Sequence, residues 1–145
     1  MIAPTFLSFL QQEELAFLRL AKRVLNDSTA EDILLNQHRK DYFWIQNNYV
    51  KDNVINVEDF KKRLAEYKII DIDKKIKEIE FYAVDNRKIK DKLIAKINLP
   101  AEIKILLEIT DDFNAWQDER KKGTFWATHY FSILLEEFSR RTKYS

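Results

Sequence analysis

The sequence predicts an all-α fold: an elongated helical bundle of about five to six helices built on a long C-terminal helix (about 100–141). Three observations support this. The 145 residues include one glycine and two prolines, whereas hairpin turns and bulges depend on glycine for positive φ. Apolar residues recur at helical spacing. The segment after Pro100 continues for some forty residues without another proline. We interpret residues 1–145 as a single helical domain, a length that can bury a real core.

The first helix is predicted within residues 1–26, with its start near Thr5 or Ser8. Its apolar face includes Phe17 and Leu18, and Glu14 falls on the same face. A carboxylate at such a position either reaches water at the edge of the face or takes a cationic partner. Both alternatives stay open for Glu14.

The second helix is predicted over about residues 29–49. Ser28 followed by Glu31 has the spacing of a capping box. His38 lies on the apolar stripe of this helix, where we expect a core or boundary histidine bonded to a neighbour.

A short third helix is predicted to begin after Asn56, which can cap it together with Asp59. Its inward residues are Phe60, Leu64 and Tyr67.

A longer fourth helix opens at Asp71 or Asp73 and runs to Asn98. Asn86 and Lys90 interrupt its apolar spacing, so we expect a kink, a break or an exposed stretch around residues 85–87. Leu99 and Pro100 end it, and proline suits the first turn of the next helix because its missing N–H has no partner there.

The long C-terminal helix carries three kinds of surface on a helical wheel. One broad face, which we name the apolar stripe, is predicted to receive the shorter helices; it comprises Leu106, Ile109, Phe113, Trp116 and Arg120, continued by Ala127, Phe131, Leu134 and Phe138. A second side is predicted to be solvated: Asp118, Glu119, Lys122, His129 and Glu136. Trp126, Tyr130 and Ile133 add further apolar surface in the C-terminal half, so this helix is expected to contact more than one neighbour.

The third surface has the spacing of a packing seam but polar or small members. We name it the polar strip; it comprises Thr110, Asn114, Gln117, Lys121, Thr124 and Thr128. It is interpreted as wet surface, as a docking face for another domain or chain, or as a ligand-binding groove. Arg120 borders it and either pairs with a buried acid such as Glu14 or presents its guanidinium to a partner or phosphate.

Composition argues against several classes of partner. Lys plus Arg number 25 and Asp plus Glu number 24, for a net charge of +1. This balance gives no support to binding nucleic acid or a membrane surface by charge. The chain has no cysteine, which suits a reducing compartment, and we find no signal peptide and no apolar run long enough to span a membrane. We expect a cytoplasmic location.

Catalytic and metal-binding motifs are missing from the sequence. One glycine does not build a phosphate-cradling loop, and the two histidines, His38 and His129, lie too far apart in the sequence to form a paired metal-ligand motif. We therefore assign no catalytic residue, no metal ligand and no cofactor, and leave open whether the chain belongs to a larger enzyme.

Two segments resemble a known family. The first is His38–Tyr49, with the run Trp44-Ile45-Gln46-Asn47-Asn48-Tyr49, followed by Val57-Glu58-Asp59-Phe60. The second is Trp116-Gln117-Asp118-Glu119-Arg120-Lys121-Lys122, continuing through Tyr130 to Glu136-Glu137-Phe138-Ser139-Arg140-Arg141. Together they resemble the helical region of proteins related to phosphoenolpyruvate synthase and pyruvate phosphate dikinase, which lies upstream of a swivelling phosphohistidine domain.

The resemblance implies a position in a larger enzyme rather than chemistry in this chain. The family's phosphoryl-carrying histidine and its ATP site lie in other domains, so neither His38 nor His129 inherits a catalytic role. The residues that carry over are pattern residues without assigned chemistry: Trp44, Asn48, Tyr49, Arg120 and Lys121.

Two functional hypotheses follow. The first is a non-catalytic helical scaffold or interdomain module of a phosphoenolpyruvate-utilising, dikinase-like phosphotransferase, whose partners are the other domains of that enzyme. The second is a stand-alone helical protein–protein interaction module that binds another chain, including its own copy.

Overall fold

Five α-helices build the part of the chain that the structure, a computed structural model, describes, namely residues 4–67 and 71–143. They are α1 (Phe9–Asn26), α2 (Glu31–Tyr42), α3 (Val57–Tyr67), α4 (Ile72–Ile97) and α5 (Ala101–Thr142), with a short 3-10 helix (Ser28–Ala30) before α2. No strand occurs among these residues. The predicted all-α class and the long C-terminal helix are therefore confirmed.

Helix α1 begins where the sequence predicts. The Ser8 hydroxyl accepts a hydrogen bond from the Gln11 backbone N–H at 3.3 Å, and the Gln11 side chain accepts one from the Ser8 backbone N–H at 3.0 Å. This reciprocal capping box satisfies two donors that the first turn leaves unpaired. Residues 1–3 of the predicted first segment lie outside the described residues.

The start and end of the second helix differ from the prediction. Asp27, rather than Ser28, is the capping residue. Its carboxylate accepts a hydrogen bond from the Thr29 backbone N–H at 3.0 Å, and the 3-10 helix follows Asp27 directly. Helix α2 ends at Tyr42, well before Tyr49. The chain turns there because Trp44 donates its indole N–H to the Asp41 carbonyl at 2.9 Å and the Asn47 N–H bonds the Trp44 carbonyl at 2.8 Å.

Helices α3 and α4 follow the predicted caps. Asn56 and Asp59 exchange side-chain to backbone hydrogen bonds at the start of α3, and Asp71 caps α4 through the Lys74 N–H at 3.0 Å. The predicted inward residues Phe60, Leu64 and Tyr67 are buried. Helix α4 continues without a break through residues 85–87.

The hydrophobic core is centred on α1. Phe17, Leu18 and Ala21 have no exposed surface, and the Phe17 ring stacks on Phe60 with centroids 5.7 Å apart. Large buried rings of this kind supply most of the apolar area that drives folding. Helices α2, α3 and α4 cover α1, and the loop between α2 and α3 adds Trp44, Ile45 and Ile55 to the core.

Helix α5 contributes no buried residue among those described. Its one side chain packed against the core is Phe125, which is half-buried. The expectation that the shorter helices pack along the apolar stripe of this helix is wrong, because every member of the apolar stripe is exposed.

Candidate interaction surface

Helix α5 contacts the rest of the chain through the side predicted to be solvated. The Asp118 carboxylate accepts a hydrogen bond from the Phe9 backbone N–H at 2.7 Å, at the start of α1. The His129 Nδ1 atom lies 2.9 Å from an Asp52 carboxylate oxygen, and the His129 ring meets Phe43 edge to face. The prediction of a solvated side is therefore wrong for Asp118 and His129, and holds for the exposed Glu119.

One further polar contact fixes the N-terminal half of α5. Lys90 of α4 is buried and pairs with Asp111, which also accepts from the Thr5 hydroxyl at 3.2 Å. This explains how Lys90 interrupts the apolar pattern of α4 without breaking the helix: its ammonium is paired with a carboxylate.

The apolar stripe lies on the opposite side of α5. Successive residues turn by about 100° around an α-helix, which places the apolar stripe about half a turn from Asp118, Phe125 and His129. Its seven large members are between 53% and 66% exposed; they are Leu106, Ile109, Phe113, Trp116, Phe131, Leu134 and Phe138. Single exposed apolar residues are ordinary on a protein surface, whereas a continuous patch of several hundred Å² marks an interaction site.

The polar strip runs between these two sides. The three threonine hydroxyls donate to carbonyls one turn back along α5: Thr110 to Leu106 at 2.7 Å, Thr124 to Arg120 at 2.9 Å and Thr128 to Thr124 at 2.9 Å. Thr110, Asn114 and Lys121 are exposed, whereas Gln117, Thr124 and Thr128 are half-buried.

Arg120 does not pair with a buried acid. Its Nε donates to the Gln117 side chain at 2.9 Å, and the side chain is exposed within the apolar stripe. The alternative that joined Arg120 to Glu14 is wrong, because Glu14 bonds Arg63 and the Tyr67 hydroxyl instead.

The three family-pattern residues near α2 position the loop that follows it. Trp44 is buried and its ring lies 5.9 Å from Phe9. The Asn48 side chain accepts from the backbone N–H groups of Val50 and Lys51 and so closes a turn. Tyr49 is exposed and meets the Phe125 ring of α5 edge to face.

Asn47 ties this loop directly to α5. It is buried, donates to the Phe125 carbonyl at 3.0 Å and accepts from the Asn53 N–H at 2.7 Å. The Thr128 hydroxyl shares its one proton between the Thr124 carbonyl and the Asn48 carbonyl, which lies 3.2 Å away. Loop and helix are thus joined by hydrogen bonds from side chains to backbone carbonyls, which the sequence pattern did not reveal.

A buried charged cluster lies between α1, α2 and α3. The His38 Nε2 atom and the Arg63 Nη1 atom lie 2.8 Å and 2.6 Å from the same Glu13 oxygen. Burial raises the pKa of the Glu13 carboxyl, but the hydrogen bonds from His38 and Arg63 outweigh burial and leave that pKa below its ordinary value. The expectation of a buried histidine bonded to a neighbour is confirmed.

This cluster holds α1, α2 and α3 together. The side chains of His38 and Glu13 are 4% and 5% exposed, so the pair is almost completely buried. Arg63 lies over the Phe17 ring, with its guanidinium carbon 4.2 Å from the centroid. Each charge is paired, which is the condition for tolerating charges in a core.

A charged groove of about 420 Å³ separates the second half of α4 from the first half of α5. Its lining includes Arg87, Asp91, Lys104 and Glu108. The two signs alternate along it and its buried ammonium is already paired with Asp111, so it offers no uniform field for an anion or a cation.

Residues 4–67 and 71–143 contain neither a metal-binding cluster nor a membrane-spanning helix. No group of three or more His, Cys, Asp or Glu side chains is placed to hold a metal ion. No helix in those ranges is both long and apolar enough to cross a membrane.

The apolar stripe is a candidate interaction surface that these elements leave open. The spacing of the sequence identified its members but assigned them to the core. The sequence did contain a sign that the apolar stripe faces outward instead of packing into the core. Phe125 and Ala115 lie on the side of α5 opposite the apolar stripe, so the helix has apolar residues on two sides and either side could face the core. Comparisons with protein-family models, with curated proteins and with solved structures find no match to this chain.

Proposed function

We propose that this chain is a helical protein–protein interaction module that binds another chain through the apolar stripe of α5. One observation carries the proposal: seven large apolar side chains are more than half exposed along one continuous face of a 42-residue helix. Keeping these residues in water forfeits roughly 1 kcal/mol or more for each one that a partner would bury.

The form of the surface favours a protein as the partner. Aromatic side chains are enriched at protein interfaces, and the apolar stripe includes Phe113, Trp116, Phe131 and Phe138. A preformed helix also loses little conformational freedom on binding, so more of the burial energy is available for affinity.

The charges of α5 disfavour other partners. Surface-bound amphipathic helices are typically rich in Lys and Arg on their polar face, whereas α5 has acidic residues along most of its length, among them Glu102, Asp112 and Glu119. Nucleic acid would likewise require an excess of positive charge.

The interdomain-scaffold hypothesis stays a prediction. An adjoining domain of a larger phosphotransferase would also present a protein surface, and it is one candidate occupant of the apolar stripe. The polar strip and Arg120 would then lie at the edge of the contact, where polar side chains are common.

Site-specific photo-crosslinking in cells tests the proposal. A photoreactive phenylalanine analogue is introduced at Phe113 or Phe131, with Phe81 of α4 as the matched control because its exposure, 54%, is close to that of Phe113, 53%. We expect a discrete adduct of defined mass from both α5 positions and none from the control. Adducts from all three positions alike, or from none, would overturn the proposal, and the mass of an adduct shows whether the partner is a second copy.

A further inference from the structure

We infer that the occupant of the apolar stripe is the apolar stripe of a second copy, with the two α5 helices antiparallel and crossing near Lys122. This inference rests on the proposed function and names its partner. It is argued from the order of side-chain sizes along α5, from its charges and from the area available.

Side-chain size along the apolar stripe is complementary to itself when reversed. Its large apolar members occupy both ends, and Arg120 and Ala127 occupy the middle, with Gly123 between them at the border of the apolar stripe. In the antiparallel register, Leu106 faces Phe138, Ile109 faces Leu134 and Phe113 faces Phe131. In the centre Trp116 faces Ala127, so the largest side chain meets a small one, and Arg120 faces Gly123, where the partner has no side chain.

A parallel pair would place identical residues side by side. Trp116 would then meet Trp116, Arg120 would meet Arg120, and Gly123 would meet Gly123. Two tryptophans would not fit in the space between the helices, two arginines would repel each other, and two glycines would leave a gap. Specific pairings exclude such arrangements by these costs.

The charges at the two ends of α5 favour the same orientation. The first turn contains Glu102 and the last contains Arg140 and Arg141. The antiparallel register brings Glu102 of one copy beside Arg141 of the other, which within its own chain pairs with Glu137. It also sets the two helix dipoles antiparallel, so that the positive end of each helix lies beside the negative end of the other.

The area is sufficient for a stable dimer. A large apolar or aromatic side chain that is more than half exposed offers about 100 Å². Seven such residues therefore offer about 700 Å² per copy, or about 1,400 Å² for the pair, within the range of standard stable interfaces.

The body of the chain does not obstruct this pairing. Two of the hydrogen bonds from α5 to the rest of the chain involve Asp118 and Phe125, about half a turn from the apolar stripe, and a third involves Thr128 of the polar strip, beside it. The two α5 helices can therefore meet along their apolar stripes, with the other helices of each copy on the outside of the pair. A Cβ added at Gly123 would meet no atom within 4 Å in the single chain, so the space at the crossing point is open.

Sedimentation equilibrium of the purified full chain tests the pairing. Wild type is compared with the double variant Phe113→Gln/Phe131→Gln and with the matched control Phe81→Gln. We expect wild type and control to sediment at twice the mass of the chain at about 100 µM, and the double variant to raise the dissociation constant by at least about 100-fold, because about four phenylalanine side chains are lost per dimer. A circular dichroism spectrum equal to that of wild type shows that the variant is folded.

Disulfide mapping tests the register. The sequence contains no cysteine, so only the introduced cysteines can form a disulfide. A mixture of Leu106→Cys and Phe138→Cys chains should form a mixed disulfide on mild oxidation, and neither variant alone should dimerise covalently. A mixture of Leu106→Cys with Phe131→Cys is the control, since one heptad along a helix separates the sulfurs by about 10 Å, too far for a disulfide.

The outcomes separate this inference from the proposed function. A wild-type chain that sediments as a monomer at about 100 µM overturns self-pairing, and disulfide formation by Leu106→Cys alone overturns the antiparallel register. If self-pairing fails while Phe113 and Phe131 still crosslink to a different protein in cells, the interaction module stands and its partner is another chain. Wild-type monomers that bind phospholipid vesicles would overturn the pairing as well.

Discussion

Helices α1 and α5 are both rich in apolar residues and have opposite environments. Eight of the 18 residues of α1 are buried, whereas none of the 42 residues of α5 is. Helix α1 is covered by α2, α3 and α4, while α5 meets the rest of the chain along one side. The comparison teaches that neither length nor apolar content identifies the central helix of a bundle; the number of sides that neighbours cover does.

The largest expected difference lies between two phenylalanines. Phe17→Ala in α1 should lower the free energy of unfolding by about 4 kcal/mol, because it empties a fully buried site. Phe131→Ala in α5 should change it by less than about 0.5 kcal/mol in the monomer, since that ring is already exposed. Urea denaturation at low protein concentration measures both. Equal losses of unfolding free energy in the two variants would mean that α5 is buried in the single chain. The contrast drawn between α1 and α5 would then be wrong.

The two arginines near the polar clusters should differ in the same way. Arg63→Met leaves Glu13 buried without its cationic partner and should cost about 3 kcal/mol of stability. Arg120→Met removes only the exposed contact with Gln117 and should be within about 0.5 kcal/mol of wild type. Thermal unfolding of both variants is the measurement; a large loss for Arg120→Met would indicate a pairing that the structure does not contain.

The pH dependence of stability should originate in α1. The pKa of Glu13 is lowered in the folded chain, so its contribution is present above the ordinary glutamate pKa of about 4.3 and is lost as pH falls through the folded value. Urea unfolding between about pH 7 and pH 3 should show stability decreasing on acidification, and Glu13→Gln should flatten that decrease.

A partly exposed glutamate of α5 supplies the control for this titration. Hydrogen bonds from Arg140 and Arg141 lower the pKa of Glu137, but its side chain is 39% exposed and its interactions are screened by salt. Glu137→Gln should therefore leave the pH profile of stability unchanged at physiological ionic strength. A profile flattened equally by both variants would place the titration outside the α1 cluster.

The sequence predicted most local features because neighbouring residues determine them. The caps of α3 and α4 depend on residues within one turn of each other, whereas the predicted Ser28 capping box was wrong because Asp27 caps that turn. The apolar spacing that identified Phe60, Leu64 and Tyr67 is local in the same way.

Long-range pairings could not be predicted in this way. The partner of Glu14 is Arg63, 49 positions away, rather than Arg120, and periodicity carries no information on such a choice. The same limit applies to the faces of α5. Its amphipathic pattern shows that two sides differ. Which side turns inward is decided by the contacts that Asp118, Phe125 and His129 make with the rest of the chain, and the pattern does not show those contacts. The structure shows where the polar strip and the pattern residues Trp44, Asn48 and Tyr49 lie. That they bind a partner stays a prediction.

A smaller and stabilising effect is expected at the centre of α5, where one substitution sharpens the comparison. Gly123→Ala should stabilise the monomer by about 1 kcal/mol and raise its Tm by about 3 °C, because glycine is a poor helix former and an added Cβ meets no atom within 4 Å. Ala127→Gly, four residues further along the same face, is the reverse control and should lower Tm by a similar amount. Both should be measured in the Phe113→Gln/Phe131→Gln background, so that any pairing of α5 does not contribute. A decrease in Tm for Gly123→Ala would show that the middle of α5 is covered within a single chain, contrary to the exposed position that separates this helix from α1.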